Sequence, residues 1–272
     1  MRTIREVESK MWSLYAVSSI AVLIFMVLFF LVAQIIKDNS IIDIGWGIGF
    51  VIVAFVSFFH SKGYDSRQLL VLIMVVIWGT RLALHLYIRS IGRGEDFRYA
   101  NFRKDWGKNA FIIAFFRVFM MQGVIMLLLS YPLLRVNAVQ SSGLDVWAVI
   151  GLVVWCVGFL FQAIGDYQLE HFKKTRTNKD AILKTGLWRF TRHPNYFGEA
   201  AMWWGIFLVV LPVHLGWTAV FSALFINLLL LKVSGVPFLD KRYAGNEAYQ
   251  TYKQETNLFI PWFPAAKKAK SL

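Results

Sequence analysis

Seven long runs of apolar residues constrain this 272-residue chain more than any other feature. A helix that crosses a bilayer needs about 20 mostly apolar residues, because the hydrocarbon interior offers no water to an open backbone. Hydrophobic residues make up 57% of the chain and charged residues only 17%. We therefore expect an all-α, polytopic membrane protein with about seven transmembrane helices, at residues 11–36, 41–60, 69–88, 111–134, 144–165, 196–213 and 215–231.

The chain is expected to form one integral-membrane domain over residues 1–272. The first apolar run follows three basic residues, as in a signal peptide, but it lacks a convincing small-residue cleavage site and is expected to be retained. The single cysteine, Cys156, lies within an apolar run. This excludes an internal disulfide and a multi-cysteine metal site, and no metal is predicted.

The distribution of basic residues predicts the orientation. With the N-terminus outside and an odd number of spans, the inside segments hold 21 of the 29 Lys and Arg residues, and the outside segments hold six. This is the positive-inside pattern, with a cytoplasmic C-terminus. The net charge of +13 therefore indicates contact with the inner membrane surface, and we expect no nucleic-acid partner. The inside segments are 37–40, 89–110, 166–195 and 232–272.

The sharpest local motif is Gly-Leu-Trp-Arg-Phe-Thr-Arg-His-Pro-Asn-Tyr-Phe-Gly-Glu at residues 186–199. Pro194 fits the first turn of a helix and predicts the start of the sixth span there. The open N–H groups of that helix start, with neighbouring cations, are typical of a site for phosphate or carboxylate. Glu199 falls one turn further in, where an unpaired carboxylate is costly, so it should face a polar pocket or an arginine. A capped helix with snorkelling arginines is the alternative. The basic residues of this site are Arg189, Arg192 and His193.

Asp166 is expected to end the fifth span, with Gln162 one turn earlier on the same helix face. Basic residues follow, beginning with Lys173. An acid at a helix end could bind a ribose or an amide while the cations hold phosphates. A solvated positive-inside loop is the simpler alternative.

Intramembrane charges predict a second set of functional residues. Arg81, His85 and Arg89 recur every four residues and share one face of the third span. Arg81 and Arg117 lie at membrane depth, where arginines usually face a bundle interior or a wet cavity. With the acids Asp43 and Glu199 they predict one shared polar cavity. Asp43, together with Tyr87 and Tyr99, forms a candidate proton-donor system, since a polarised tyrosine can act as a general acid.

No Gly-x-Gly-x-x-Gly motif after a strand, Walker loop or His-Glu-x-x-His motif occurs. A nucleotide would therefore have to be held by helices and loops.

Residues 186–199 resemble the signature of the steroid 5-alpha-reductase-like membrane family, and nearly the whole chain is similar to its bacterial branch of unknown function. Residues 42–50, 78–89, 94–99 and 233–264 support the resemblance, whose C-terminal region covers about 110–264. It implies seven spans with an outside N-terminus, in a bacterial cell membrane, with the cofactor on the cytoplasmic side. In characterised relatives the fold encloses NADPH and reduces a carbon–carbon double bond beside a carbonyl.

The resemblance also implies site residues. Asp166, Asn195 and Glu199 match family cofactor contacts, while Gln162 stands where an asparagine is usual and Lys173 where an arginine is usual. Arg89 matches an arginine that follows the catalytic tyrosine. The sequence departs from the family at that tyrosine, because Leu86 occupies the position and Tyr87 lies one residue away. A catalytic glutamate of the second span has no evident match, and Asp43 is the nearest acid.

Residues 192–198 are also similar to isoprenylcysteine carboxyl methyltransferases, which bind S-adenosylmethionine at the comparable place. The leading hypothesis is an NADPH-dependent reductase of a hydrophobic, steroid- or isoprenoid-like enone, with Tyr87 and Asp43 as catalytic residues. A membrane methyltransferase using S-adenosylmethionine and a non-enzymatic lipid-binding relative are the alternatives. No obligate protein partner is inferred. The remaining cofactor-binding candidates are Arg81, Arg189, Arg192, His193 and Tyr196.

Overall fold

The computed structural model describes residues 4–141, 143–178, 180–233 and 235–264. Helices account for 79% of the structure, and no strand occurs among the described residues, which confirms the all-α fold. Six helical runs in this part of the chain are long and apolar enough to cross a membrane. The protein is therefore an integral membrane protein of several spans. The six runs are Ile4–Ile36, Ile41–Ser61, Ser66–Ser90, Phe97–Leu129, Val146–Thr175 and Gly216–Phe238.

The α-helices are numbered α1 to α12 in chain order, and short 3₁₀ or π turns interrupt some of the long runs. Their bounds are α1 Ile4–Ile36, α2 Ile41–Ser61, α3 Ser66–Ser90, α4 Phe97–Trp106, α5 Ala110–Ala114, α6 Met121–Leu129, α7 Tyr131–Ala138, α8 Val146–Thr175, α9 Pro194–Val210, α10 Val220–Leu228, α11 Val236–Arg242 and α12 Glu247–Glu255.

Three elements differ from the boundaries predicted by hydropathy. The polar segment 89–110 contains α4, which begins after Asp96, whose side chain accepts a hydrogen bond from the backbone of Arg98. The fifth apolar run belongs to α8, which continues to Thr175, ten residues beyond the predicted end. The sixth run corresponds to α9, which begins at Pro194 as expected but has only 17 residues. The number of spans and their orientation remain predictions.

The chain forms two compact units, Met1–Ala148 with Val209–Ser222, and Val149–Leu208 with Ala223–Leu272. In the first unit, α2 and α3 cross through two glycines. A Cβ on Gly79 would lie 2.6 Å from the carbonyl oxygen of Gly47, and a Cβ on Gly47 would meet the carbonyl of Gly79 in return. Small residues allow such close approach of helices in a membrane, where packing rather than water drives association.

The first unit also contains a buried arginine that hydropathy assigns to a loop. Arg67, only 2% exposed, donates to the carbonyl oxygens of Val209 and Gly143 and lies 3.1 Å from a carboxylate oxygen of Asp145. Its guanidinium thus satisfies backbone acceptors that would otherwise be buried without donors.

In the second unit, α8 and α9 cross through glycines at two levels. A Cβ on Gly158 would lie 2.6 Å from the carbonyl oxygen of Gly198, and a Cβ on Gly205 would lie 2.6 Å from the carbonyl oxygen of Gly151. The glycines are seven residues apart on each helix. This spacing brings two backbones into direct contact over about two turns and places the polar residues at one end of the crossing side by side.

Candidate functional site

The α8–α9 crossing brings together two amides and two carboxylates that we call the amide–carboxylate cluster: Gln162 and Asp166 of α8, and Asn195 and Glu199 of α9. Gln162 is 3% exposed, and its Nε2 donates to Oε2 of Glu199 over 3.3 Å. The Oε1 of Gln162 is buried and has no hydrogen-bond partner. An unsatisfied buried acceptor is costly, so this oxygen is available to a donor from a ligand.

One turn along α8, Asn195 Nδ2 donates to Oδ1 of Asp166 over 3.1 Å. Close contact again positions the pair, since a Cβ on Gly165 would lie 3.2 Å from Cγ of Pro194. Asp166 was expected at a helix end, and this is wrong, because it lies within α8, with no helix breaker before Thr175. The helix therefore holds Asp166 rigidly on the face that carries Gln162.

The start of α9 carries a buried arginine and histidine, the Arg192–His193 pair. Arg192 is 8% exposed and His193 is 1% exposed. Nε and Nη1 of Arg192 and both ring nitrogens of His193 are buried without a hydrogen bond. The His193 ring stacks on Tyr196, with centroids 5.2 Å apart and planes at 7°. Because these donors precede the open N–H groups of a 17-residue helix, they fit an anionic or highly polar ligand.

Burial, reinforced by the Arg192 charge, lowers the pKa of His193 to about 4, although Asp240 opposes the shift. His193 is therefore neutral near pH 7. A neutral imidazole offers one N–H donor and one nitrogen acceptor, so it can bind either a phosphate oxygen or a hydroxyl.

Residues 252–259 form hydrogen bonds that fix the loop before α9. Thr191 Oγ1 donates to the carbonyl oxygen of Phe259 over 2.8 Å, and the backbone N–H of Arg192 donates to the carbonyl of Asn257 over 2.9 Å. Tyr252 donates its hydroxyl to the carbonyl of Trp188, whose indole N–H donates to the carbonyl of Gly165 over 3.1 Å. Two remote parts of the chain thus fix the backbone that presents Arg192.

Asp240 of α11 joins the C-terminal helices to this loop. Its Oδ1 accepts from the Tyr249 hydroxyl at 2.6 Å, and its Oδ2 accepts from Lys253 Nζ at 2.9 Å. Arg192 Nη1 lies 3.6 Å from Oδ1. Burial opposes ionisation of Asp240, but the hydrogen bonds from Tyr249 and Lys253 outweigh it and keep the Asp240 pKa below its usual value.

Two more basic residues were predicted to bind the cofactor. Lys173 pairs with Glu170 over 3.1 Å, and Arg189 is exposed.

Near the C-terminal end of α8, a shallow groove of about 190 Å³ is lined by aromatic, amide and hydroxyl side chains. Its main residues are Tyr167, Gln168, His171, Phe172, Thr175 and Thr185.

In the first unit, Asp43 accepts two short hydrogen bonds, from Arg98 Nη2 and from the Tyr99 hydroxyl, each at 2.6 Å. The expected interaction of Asp43 with Tyr99 is present. Tyr87 was also expected to be polarised by Asp43, but its side chain is 55% exposed, and the tyrosine hydrogen bond on Asp43 comes from Tyr99. The turn of α4 places Tyr99 beside the first turn of α2, whereas Tyr87 lies on the outer face of α3.

Other predicted members of the shared cavity also belong to the first unit. Arg81, His85 and Arg89 share α3 as expected, and all three are half-buried. Arg117 was expected to face a cavity, but it is exposed, because the helix passes through a π turn at Phe115–Met120 that redirects its side chains. Glu199 belongs to the second unit, where it accepts a hydrogen bond from Gln162.

Sequence reasoning missed Asp240, an acid of the second unit that three side chains contact. Asp240 is remote from Arg192 along the chain and lies in the predicted inside segment 232–272. Tyr249 and Tyr252 on α12, three residues apart and both buried, were the available signal, since a 3.6-residue period would place them on one packed face.

Chemically, the second unit offers what a nucleotide-type cofactor needs. Carboxylates and amides on rigid helices suit hydroxyl and carboxamide groups, and a buried guanidinium beside a helix start suits phosphate. Gln162, Arg192 and His193 carry buried polar atoms without a hydrogen bond, which are groups that such a ligand could contact. No cluster of His, Cys, Asp or Glu that could hold a metal ion occurs among the described residues.

Comparison of the sequence with known proteins assigns the chain to a family. An alignment over 197 positions with an uncharacterized protein of Schizosaccharomyces pombe is 24% identical, and it covers 63% of this chain and 57% of the yeast protein. The chain therefore spans just over half the length of that relative. No solved structure matches the chain. Residues 29–256 match a protein family of unknown function, DUF1295. The chain belongs to this DUF1295 family, which is part of the steroid 5-alpha-reductase-like membrane proteins.

Proposed function

We propose that this protein is an NADPH-dependent reductase that acts on a carbon–carbon double bond conjugated to a carbonyl in a hydrophobic, steroid- or isoprenoid-like substrate. The observation that carries the proposal is the set of unsatisfied buried polar atoms on Gln162, Arg192 and His193, at the α8–α9 crossing of a reductase-like membrane fold. The proposed location is a bacterial cell membrane, with the cofactor on the cytoplasmic side.

Each part of the second unit has a proposed role in binding. The amide–carboxylate cluster binds the polar groups of the cofactor's nicotinamide and ribose, and its rigid helical geometry fixes their orientation. The Arg192–His193 pair and the open N–H groups of α9 bind phosphate. Tyr196 stacks on His193 and keeps the imidazole plane fixed. Lys173 and Arg189 attract the anionic cofactor through the positive charge of their segments.

NADPH would supply a hydride to the β carbon of the enone. The protein must then stabilise the negative charge that develops on the carbonyl oxygen and deliver a proton. The proton donor that we propose is Tyr87, which stands next to the family position occupied by Leu86. The Tyr99 hydroxyl donates to Asp43, which also pairs with Arg98, so these three groups hold one another in place within the first unit.

The decisive experiment is a titration of the purified full chain, in detergent or nanodiscs, with NADPH and with S-adenosylmethionine. Saturable binding of NADPH with no response to S-adenosylmethionine supports the reductase. A response only to the methyl donor rejects it and favours a membrane methyltransferase, consistent with the similarity of residues 192–198 to that group. Binding of neither favours the non-enzymatic, lipid-binding function.

Two substitutions locate the cofactor. Glu199→Gln and Asn195→Ala should each raise the dissociation constant for NADPH by roughly tenfold or more, because each removes a charged or amide partner from a buried site. Glu247→Gln, on the exposed first turn of α12, is the matched control and should bind as the unmodified protein does. Unchanged affinity in both site variants, with the fold intact, would reject the amide–carboxylate cluster as the cofactor site.

A further inference from the structure

Asp240 has an unusual relationship with Arg192. The carboxylate is held at hydrogen-bond distance by Tyr249 and Lys253, at 2.6 Å and 2.9 Å, while Arg192 Nη1 stays at 3.6 Å. Arg192 therefore forms a long ion pair with Asp240, without a hydrogen bond between the two side chains. Its Nε is buried without a hydrogen bond, and its Nη1 has the 3.6 Å contact with Asp240 but no hydrogen bond. This arrangement is costly unless those donors serve another acceptor.

We propose that Asp240 is a positioning residue whose carboxylate aims Arg192 at the anion site, and that Tyr249 and Lys253 keep that carboxylate from forming a closer, bidentate pair with the arginine. The inference rests on the proposed function in its assignment of Arg192 to phosphate binding. It goes further by assigning a role to the C-terminal helices α11 and α12, to which the proposed function gives none.

The charge balance around Arg192 supports this role. A carboxylate that is free to rotate beside a buried guanidinium forms a bidentate pair with it, because that geometry satisfies both groups. Tyr249 occupies Oδ1 and Lys253 occupies Oδ2, so each oxygen already accepts a short hydrogen bond. The ammonium of Lys253 also neutralises part of the Asp240 charge. The arginine thus keeps donors for a phosphate, while the weak attraction limits the directions in which it can point.

The contacts of the Tyr249 ring allow its hydroxyl to be tested separately from its packing. Tyr249 is buried, and its ring lies 5.1 Å from that of Tyr243 and 6.3 Å from that of Tyr252. A Tyr249→Phe substitution keeps these ring contacts and removes only the hydroxyl. The loop before α9 is held by independent hydrogen bonds, from Thr191 to Phe259 and from Arg192 to Asn257. A change in ligand affinity in this variant therefore reports on the Asp240 carboxylate.

The test is a double-mutant cycle on the full chain with Tyr249→Phe, Asp240→Asn and the double variant. Binding is measured with two probes, NADPH and inorganic pyrophosphate, and the thermal midpoint verifies folding. Tyr249→Phe alone should weaken binding of both probes by roughly tenfold, because the released carboxylate closes on Arg192. In the Asp240→Asn background the same change should cost less than about twofold, since no carboxylate remains to compete. Tyr64→Phe, at an exposed tyrosine of the first unit, is the matched control and should have no effect.

Each other outcome decides the proposal. Equal weakening by Tyr249→Phe in both backgrounds would show a packing role, and no weakening in either would show no role, so both overturn the inference. NADPH binding by the unmodified protein keeps the proposed function in those cases. If the protein binds pyrophosphate but not NADPH, the reductase proposal fails and the cycle with pyrophosphate still decides the role of Asp240. Binding of neither probe overturns both proposals.

Discussion

Gly158 of α8 and Gly198 of α9 lie so close that a Cβ on Gly158 would be 2.6 Å from the carbonyl oxygen of Gly198. The reverse is also true, because a Cβ on Gly198 would meet the carbonyl of Gly158 and the backbone N–H of Gln162. This contact is the reason that two amides and two carboxylates from different helices share one cluster. Any larger residue at the crossing would separate Gln162 from Glu199.

Gly198→Ala should therefore lower both stability and ligand affinity. Overpacking of this kind costs about 1–3 kcal/mol, which exceeds the gain of about 1 kcal/mol from replacing a helical glycine by alanine. The thermal midpoint in nanodiscs and the dissociation constant for NADPH measure the two effects. Gly245→Ala is the control, since no atom lies within 4 Å of its Cβ position. Equal midpoints for the two variants would contradict the close crossing.

Tyr99 and Tyr87 provide a matched pair of tyrosine-to-phenylalanine substitutions in the first unit. Tyr99→Phe removes the short hydrogen bond to Asp43 and should lower the free energy of unfolding by about 1–3 kcal/mol, because the acceptor is charged. Tyr87→Phe should change it by less than about 0.5 kcal/mol, since that side chain is 55% exposed. Chemical denaturation in mixed micelles measures both. A larger effect at Tyr87 would show that Asp43 pairs differently.

His193 should make stability depend on pH. The unfolded state binds the His193 proton near the ordinary pKa of 6.5, whereas the folded state resists protonation until about pH 4. The unfolded state therefore binds more protons between these values, so the free energy of unfolding should fall as the pH drops from about 6.5 to about 4 and stay constant above that window. The full difference corresponds to roughly 3 kcal/mol.

His193→Gln removes this titration and should flatten the pH dependence in that window. The comparison requires the midpoint of the ligand-free protein at several pH values, with and without the substitution. The neighbouring Arg192 and Asp240 are present in both proteins, so their contributions cancel. Parallel curves would show that His193 is not held neutral by burial.

Arg67 should be a major determinant of the stability of the first unit. Arg67→Met would leave the carbonyls of Val209 and Gly143 without their donor and Asp145 without its partner. A buried acceptor left without its donor costs about 1–3 kcal/mol, and the loss at Asp145 is smaller because that side chain is 39% exposed. Lys108→Met, on an exposed 3₁₀ turn, is the control. Similar unfolding midpoints for the two variants would show that Arg67 is a solvated loop residue.

The amino-acid sequence alone predicted that this chain folds as a set of membrane-spanning helices. Runs of about 20 apolar residues require a membrane and helices. The structure confirms the helices, and six helical runs among the described residues are long and apolar enough to cross a membrane. The sequence also located the start of α9 at Pro194, because proline imposes its helix position locally. Gln162 and Asp166 could be placed on one face for the same reason, since i and i+4 positions share a face on any helix, whereas Asn195 was named from the family resemblance.

Only the tertiary structure decided which residues meet. Hydropathy reports how much a residue prefers lipid, but it carries no information on the rotation of one helix against another. The choice of Tyr99 over Tyr87 as the partner of Asp43 depends on where α4 packs, and the link from Asp240 to Arg192 joins segments remote in sequence. Those contacts follow from side-chain volume at the helix crossings, where glycine permits an approach that no local pattern encodes.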